Sequence, residues 1–188
     1  MNILFVIAME KEAKKIIEHY NLKKEKNIYK NKNIELIMTD ITRNGIIKSL
    51  INIDTTNKII INVGFVGSNN INIGEIVQVD KSYGYHFDLT PFGTPKYIAP
   101  NSPYEIDKIK DLKSIDCYTS DAFVTNTDIK KDAIFDMELN AITLFPHKKL
   151  YSIKIVSDNL NTKSYQEFHY DKAIKETIKY IDRIIKGS

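Results

Sequence analysis

The chain has 188 residues, 43% of them hydrophobic, which is enough for a substantial core in one domain spanning 1–188. Its 27 basic and 24 acidic residues are interspersed and leave a formal charge of +3. This pattern excludes a basic, aromatic-studded nucleic-acid surface, and no apolar run approaches the roughly 20 residues that span a bilayer.

The opening run Ile3 to Ala8 is continuously apolar, as in a strand covered on both faces. It is too short for a signal peptide, and no basic region precedes it. A helix is expected over Lys11 to Tyr20, with Ala13, Ile16 and Ile17 inward. Asn27–Tyr29 and Ile34–Thr39 read as a hairpin around Lys30–Asn33, and Gly45–Ile53 as a short helix. Lys58–Val63 is a second buried strand ending at Gly64, with Gly64–Gly67 a tight turn, and Glu75–Val79 is a third strand. Tyr83–Gly93 reads as a polar and aromatic loop. Thr94–Lys113, with Pro95, Pro100 and Pro103, reads as irregular. Strands follow at Ser114–Thr119, Ala133–Phe135 and Tyr151–Val156, with a helix over Glu138–Phe145 stopped by Pro146. The last helix, Tyr170–Lys186, carries Ile174, Ile178, Ile181 and Ile185 on one face. Alternating strands and helices with an internal hairpin predict an α/β fold, a three-layer αβα sandwich around a central mixed twisted sheet.

The single cysteine, Cys117, rules out an internal disulfide and reads as a small buried hydrophobe. With the absence of a leader, it points to a cytoplasmic protein. Gly64-Phe65-Val66-Gly67 lacks the third glycine of a dinucleotide fingerprint. His19, His86, His147 and His169 are isolated, so neither a metal site nor a cofactor is expected.

In open α/β sheets ligands bind beyond the carboxyl ends of the strands. That rule selects Glu10 and Glu12 after the first strand, Asp121 after the strand at Ser114, Asp136 to Glu138 after Phe135, and Ser157 and Asp158 after Val156. Each carboxylate taken singly reads as a helix cap. Acids at the ends of several strands read together as a site.

Seven blocks in order resemble the 5′-methylthioadenosine/S-adenosylhomocysteine nucleosidases of the nucleoside phosphorylase superfamily. They are Ala8-Met9-Glu10-Lys11-Glu12-Ala13, Ile61–Gly67, Gly74–Val77, Asp88–Gly93, Ser120–Val124, Asp136-Met137-Glu138 with Ala141, and Ile155–Asp158. The resemblance implies hydrolysis of the bond between ribose C1′ and purine N9. Asp158, oriented by Ser157, would protonate purine N7. Glu12 would be general base on the attacking water, and Glu138 would hold the ribose hydroxyls. Met137 would pack on the ribose, Phe123 would stack on the base, and the Val124 backbone would read the purine edge. The resemblance also implies a homodimer with the Asp88–Gly93 loop at its two-fold interface.

Four departures stand out. Phe65 replaces a small hydroxyl residue beside the ribose and water. Thr39–Arg43 lacks the two glycines of the corresponding turn, and Lys154 stands where an arginine would lie near the water. The span from Gly93 to Tyr118 is shortened. A phosphate site is eroded by these changes, so hydrolysis is favoured over the alternative of a nucleoside phosphorylase. Phe65 and the lost glycines favour a further alternative, a diverged, catalytically weak nucleoside-binding protein, against which the intact set Glu12, Glu138 and Asp158 argues.

Overall fold

The computed structural model describes residues 2–98 and 102–187; Pro100, named above within the irregular segment, lies outside the described residues. In chain order the strands are β1 (Ile3–Ile7), β2 (Lys23–Glu25), β3 (Ile28–Lys30), β4 (Ile34–Met38), β5 (Ile59–Ser68), β6 (Ile76–Gly84), β7 (Tyr104–Glu105), β8 (Ser114–Thr119), β9 (Ile134–Asp136) and β10 (Lys149–Asp158). The helices are α1 (Glu10–His19), α2 (Arg43–Leu50), α3 (Leu139–Ile142), α4 (Thr162–Glu167) and α5 (Asp171–Gly187).

Alternation along β1 sets the layers. Ile3, Phe5 and Ile7 enter one apolar cluster with Ala13 and Ile16 of α1 and Ala173, Ile174, Ile178, Ile181 and Ile184 of α5. Leu4 and Val6 enter the opposite cluster with Ile46 and Leu50 of α2 and Leu139 and Ile142 of α3. A strand buried on both faces needs no polar alternation, so its sequence is a plain apolar run. Each fully buried isoleucine or leucine here contributes about 1.5–3 kcal/mol. The result is the expected αβα sandwich around a mixed sheet.

The sheet then closes on itself. β1 runs parallel to β4 and to β5, and β5 runs parallel to β10. β10 pairs antiparallel with β6, β6 parallel with β8, and β8 parallel with β9. β9 returns antiparallel onto β5 at Gly67 and Ser68. This ring draws the carboxyl ends of β5, β8, β9 and β10 together.

Several boundaries differ from the sequence expectation. β5 continues through Gly64–Gly67, where a turn was expected, because both glycines leave room in the strand. A Cβ on Gly64 would lie 3.4 Å from Glu12 Oε1, and one on Gly67 would lie 2.8 Å from Asp158 Oδ1. β6 extends to Gly84, leaving Tyr85–Gly93 as loop with a 3-10 turn at Thr90–Phe92. The helix expected over Glu138–Phe145 shortens to α3, with Glu138 as its N-cap. β2 was not foreseen: its three residues are exposed and charged, and only pairing with β3 makes them a strand. Nor was α4, whose residues show no buried face.

Candidate active site

The first residue to place is Glu12. It sits in the first turn of α1, where its Oε2 accepts the Met9 N–H at 3.0 Å, as a helix-capping carboxylate does. Its Oε1 reaches across to β5 and accepts the Phe65 N–H at 2.8 Å. One carboxylate thus caps its own helix and bonds the β5 backbone. Glu12 is 2% exposed. Burial pushes its carboxyl up to about 7, against the lowering pull of the two N–H donors and of Lys154 and Lys11.

Glu138 comes from the opposite wall. As N-cap of α3 it points its carboxylate away from the helix, accepting the Thr42 N–H through Oε1 and the Met137 N–H through Oε2, each at 3.3 Å. Burial, with the negative charges of Asp136 and Glu12 adding to it, raises its carboxyl above the usual range. The turn that delivers Thr42 lacks the glycines expected there. Thr42 itself adopts φ 85°, ψ 162°, a region glycine occupies freely. The nearby Gly45 supplies the close approach, since a Cβ there would meet the Asp40 carbonyl oxygen at 2.2 Å. Arg43 pairs with Asp121 (Nε to Oδ2, 2.9 Å), tying this turn to the loop that carries Phe123.

Asp158 ends β10. Its register against β5 slips between Val156 and Asp158, a bulge that re-aims the side chain. Oδ2 accepts the Ser157 hydroxyl at 2.9 Å and Oδ1 the Leu160 N–H at 2.9 Å. Ser157 thus holds one oxygen of the carboxyl. Burial raises Asp158 above its ordinary value even though these donors oppose the shift.

These three acids line one cavity of about 380 Å³, together with Met137, Ser157, Phe65 and Phe123. That volume lies within the range of small-molecule sites. Val124 is set behind Phe123, bordering a recess of about 30 Å³ that Asp158 and Met137 share. Phe65 does not plug the cavity: its ring forms part of the wall and packs edge-on to Phe168 (centroids 5.6 Å) and against Tyr170 (5.4 Å). Lys11 lies 5.1 Å from the Phe65 centroid and donates to the Tyr165 hydroxyl at 2.6 Å.

Lys154, expected among the substrate-binding residues, is absent from the cavity wall and fully buried, with its Nζ 2.8 Å from Asp136 Oδ2. On β10 it stands opposite Gly64, where an added Cβ would lie 3.6 Å from its Nζ. Tyr165, Thr162 and Gln166 of α4 also border the cavity and had no sequence signal, since α4 has no apolar period. Asp136 was visible as a strand-end acid, but its pairing with Lys154 needed the closed sheet. Among the described residues no group of three or more potential ligands could hold a metal ion, and no helix is long and apolar enough to cross a membrane.

No family model matches the sequence, and no curated protein matches it. Solved structures do. A Helicobacter pylori 5′-methylthioadenosine/S-adenosylhomocysteine nucleosidase aligns over 100% of this chain and 99% of its own, with TM-score 0.78 and 16% identity. The chain shares the fold of this nucleosidase. The Streptococcus pneumoniae nucleosidase in complex with 8-aminoadenine shares this fold at TM-score 0.74 and 20% identity, over 96% of this chain and 97% of that one. A futalosine hydrolase mutant of Helicobacter pylori shares it at TM-score 0.75 and 15% identity, over 100% of both chains. The α/β architecture with a mixed sheet is thus shared with solved structures named for two different substrates.

Proposed function

We propose that the chain is a purine nucleoside N-glycosyl hydrolase, acting on 5′-methylthioadenosine, S-adenosylhomocysteine or a related nucleoside. The observation that carries this is the meeting of Glu12, Glu138 and Asp158, from three separate elements, around one cavity with an aromatic wall. In the reaction the C1′–N9 bond breaks as Asp158 gives its proton to purine N7. Burial supports this role because it favours a carboxyl that holds a proton. The sugar passes through an oxocarbenium-like state, stabilised by the Glu138 carboxylate between the 2′ and 3′ hydroxyls. Water adds to C1′ while Glu12 takes its proton, and a carboxyl near 7 suits a base working at neutral pH. Free base and sugar leave, and the step balances with water as the one co-reactant.

Hydrolysis is favoured over phosphorolysis by charge. Among the described residues lining the cavity there are four carboxylates and no lysine or arginine, a poor setting for a phosphate dianion. Incubation with methylthioadenosine, adenosine and inosine, with and without phosphate, followed by chromatography, separates the readings. Base released without phosphate is expected. Release only with phosphate makes the protein a phosphorylase, and binding without release makes it a nucleoside-binding protein.

Phe123 is 40% exposed at the cavity and meets Tyr165 edge-on at 6.2 Å, leaving a face for a base. Phe123→Ala is expected to raise KM about tenfold with kcat within about threefold, because stacking on a base is worth roughly 1–3 kcal/mol. An unchanged KM in steady-state kinetics removes Phe123 from base binding. A homodimer belongs to the same proposal, with the loop holding Leu89 and the 84% exposed Phe92 at the contact.

A further inference from the structure

At the cavity wall Asp136 pairs with the fully buried Lys154, a charged pair that the proposed reaction does not use. Lys154 and Asp136 are both buried, at 0% and 3% exposure. Four elements fix the Asp136 carboxylate: it belongs to β9, accepts the Thr119 hydroxyl of β8 at 2.6 Å, accepts the Leu139 N–H at the start of α3 at 3.0 Å, and accepts Lys154 Nζ of β10 at 2.8 Å. Such a buried pair is weak support for stability, since an apolar pair of the same shape often serves as well. Its location is the informative feature. The point where a Cβ would stand on Gly64 is 3.4 Å from Glu12 Oε1 and 3.6 Å from Lys154 Nζ. A missing side chain thus opens a passage between the ammonium and the carboxylate assigned as base. Glu138, the α3 N-cap, lies only two residues beyond Asp136.

We infer that Asp136 and Lys154 are a positioning pair: Asp136 meters how much of the Lys154 charge reaches Glu12 and Glu138, and so sets the pH at which the base becomes ionised. The kinetic part of this inference rests on the nucleosidase reading. The charged and titratable groups around the pair are Glu12, Glu138 and Cys117, with Lys11 on the far side of Glu12. Lys154 pulls the Glu12 and Glu138 carboxyls down, and Asp136 pushes Glu138 up.

Removing one partner at a time gives opposite signs. Asp136→Asn leaves the ammonium unneutralised, so the acid limb of the kcat/KM profile should move down by about one pH unit. Lys154→Met removes the cation, so the same limb should move up by about as much. A purely structural pair predicts lower rates with no such opposed shifts, and shifts in one direction or none overturn the inference. If either variant fails to fold, the wild-type protein carries the test through the Lys154 13Cε resonance. It should show an inflection near pH 7, where Glu12 titrates. A flat response through that region overturns the inference whether or not the protein releases base. Inactive wild-type protein with a clear inflection overturns the nucleosidase reading alone.

Discussion

Asp158→Asn is expected to lower kcat by about 10²–10⁴-fold, the usual worth of a positioned general acid. Asparagine has the shape of the carboxylic acid but no proton to give. The fold should survive the change. The Leu160 N–H keeps a carbonyl acceptor, and the Ser157 hydroxyl, which also bonds the Val66 carbonyl at 3.2 Å, turns to accept from the new amide. The expected loss of stability is about 1 kcal/mol, the net worth of one rearranged hydrogen bond. Because the interaction develops with bond cleavage, kcat should fall far more than KM rises. Steady-state kinetics together with thermal unfolding decide the matter, and wild-type turnover in a folded Asp158→Asn variant removes the residue from acid catalysis.

Glu12→Gln should remove the base, at about 10²–10³-fold in kcat, and leave a second signature in stability. The folded-state carboxyl titrates near 7 and the unfolded one near 4.5. Between those values the folded protein holds a proton that the unfolded chain has lost. Stability attributable to this residue is therefore full below about pH 4.5, declines as pH rises to about 7, and stays low above it, by about 3 kcal/mol in all. Glutamine never ionises and escapes that decline. It does leave the Met9 N–H facing an amide group instead of a carboxylate oxygen, a pH-independent cost of about 1–3 kcal/mol. The variant should thus be the less stable protein at pH 5 and match or exceed wild type at pH 8. Urea denaturation at the two pH values measures the crossing, and a difference that does not change with pH contradicts the burial-driven shift.

Much of the architecture was readable from pattern because each buried element carries its own period. β1 is a continuous apolar run, and the α5 isoleucines recur every turn, although Ile184 takes a buried position and Ile185 a partly buried one. Glycine misled at β5. Gly64 and Gly67 look like turn residues in one dimension, yet in space they admit two carboxylates to the strand. The acids that gather in the cavity were legible as strand-end residues, and Glu12 shows why capping and chemistry need not compete. What stayed hidden depends on closure of the sheet. The pairing of Asp136 with Lys154 joins residues 18 apart in sequence and on separate strands, and nothing local to either one signals it. α4 is similarly silent, because a short, largely exposed helix held by Asn161 capping and Tyr165 contacts leaves no apolar stripe.

The central claim concerns where a nucleoside sits, so a crystal structure with an uncleavable C-nucleoside, in which carbon replaces the glycosidic nitrogen, tests it most directly. The account predicts the ribose hydroxyls on Glu138, the purine-like ring between Phe123 and Asp158, and a water between Glu12 and C1′. A ligand bound outside this cavity, or one inside it whose sugar makes no contact with Glu138, would contradict it.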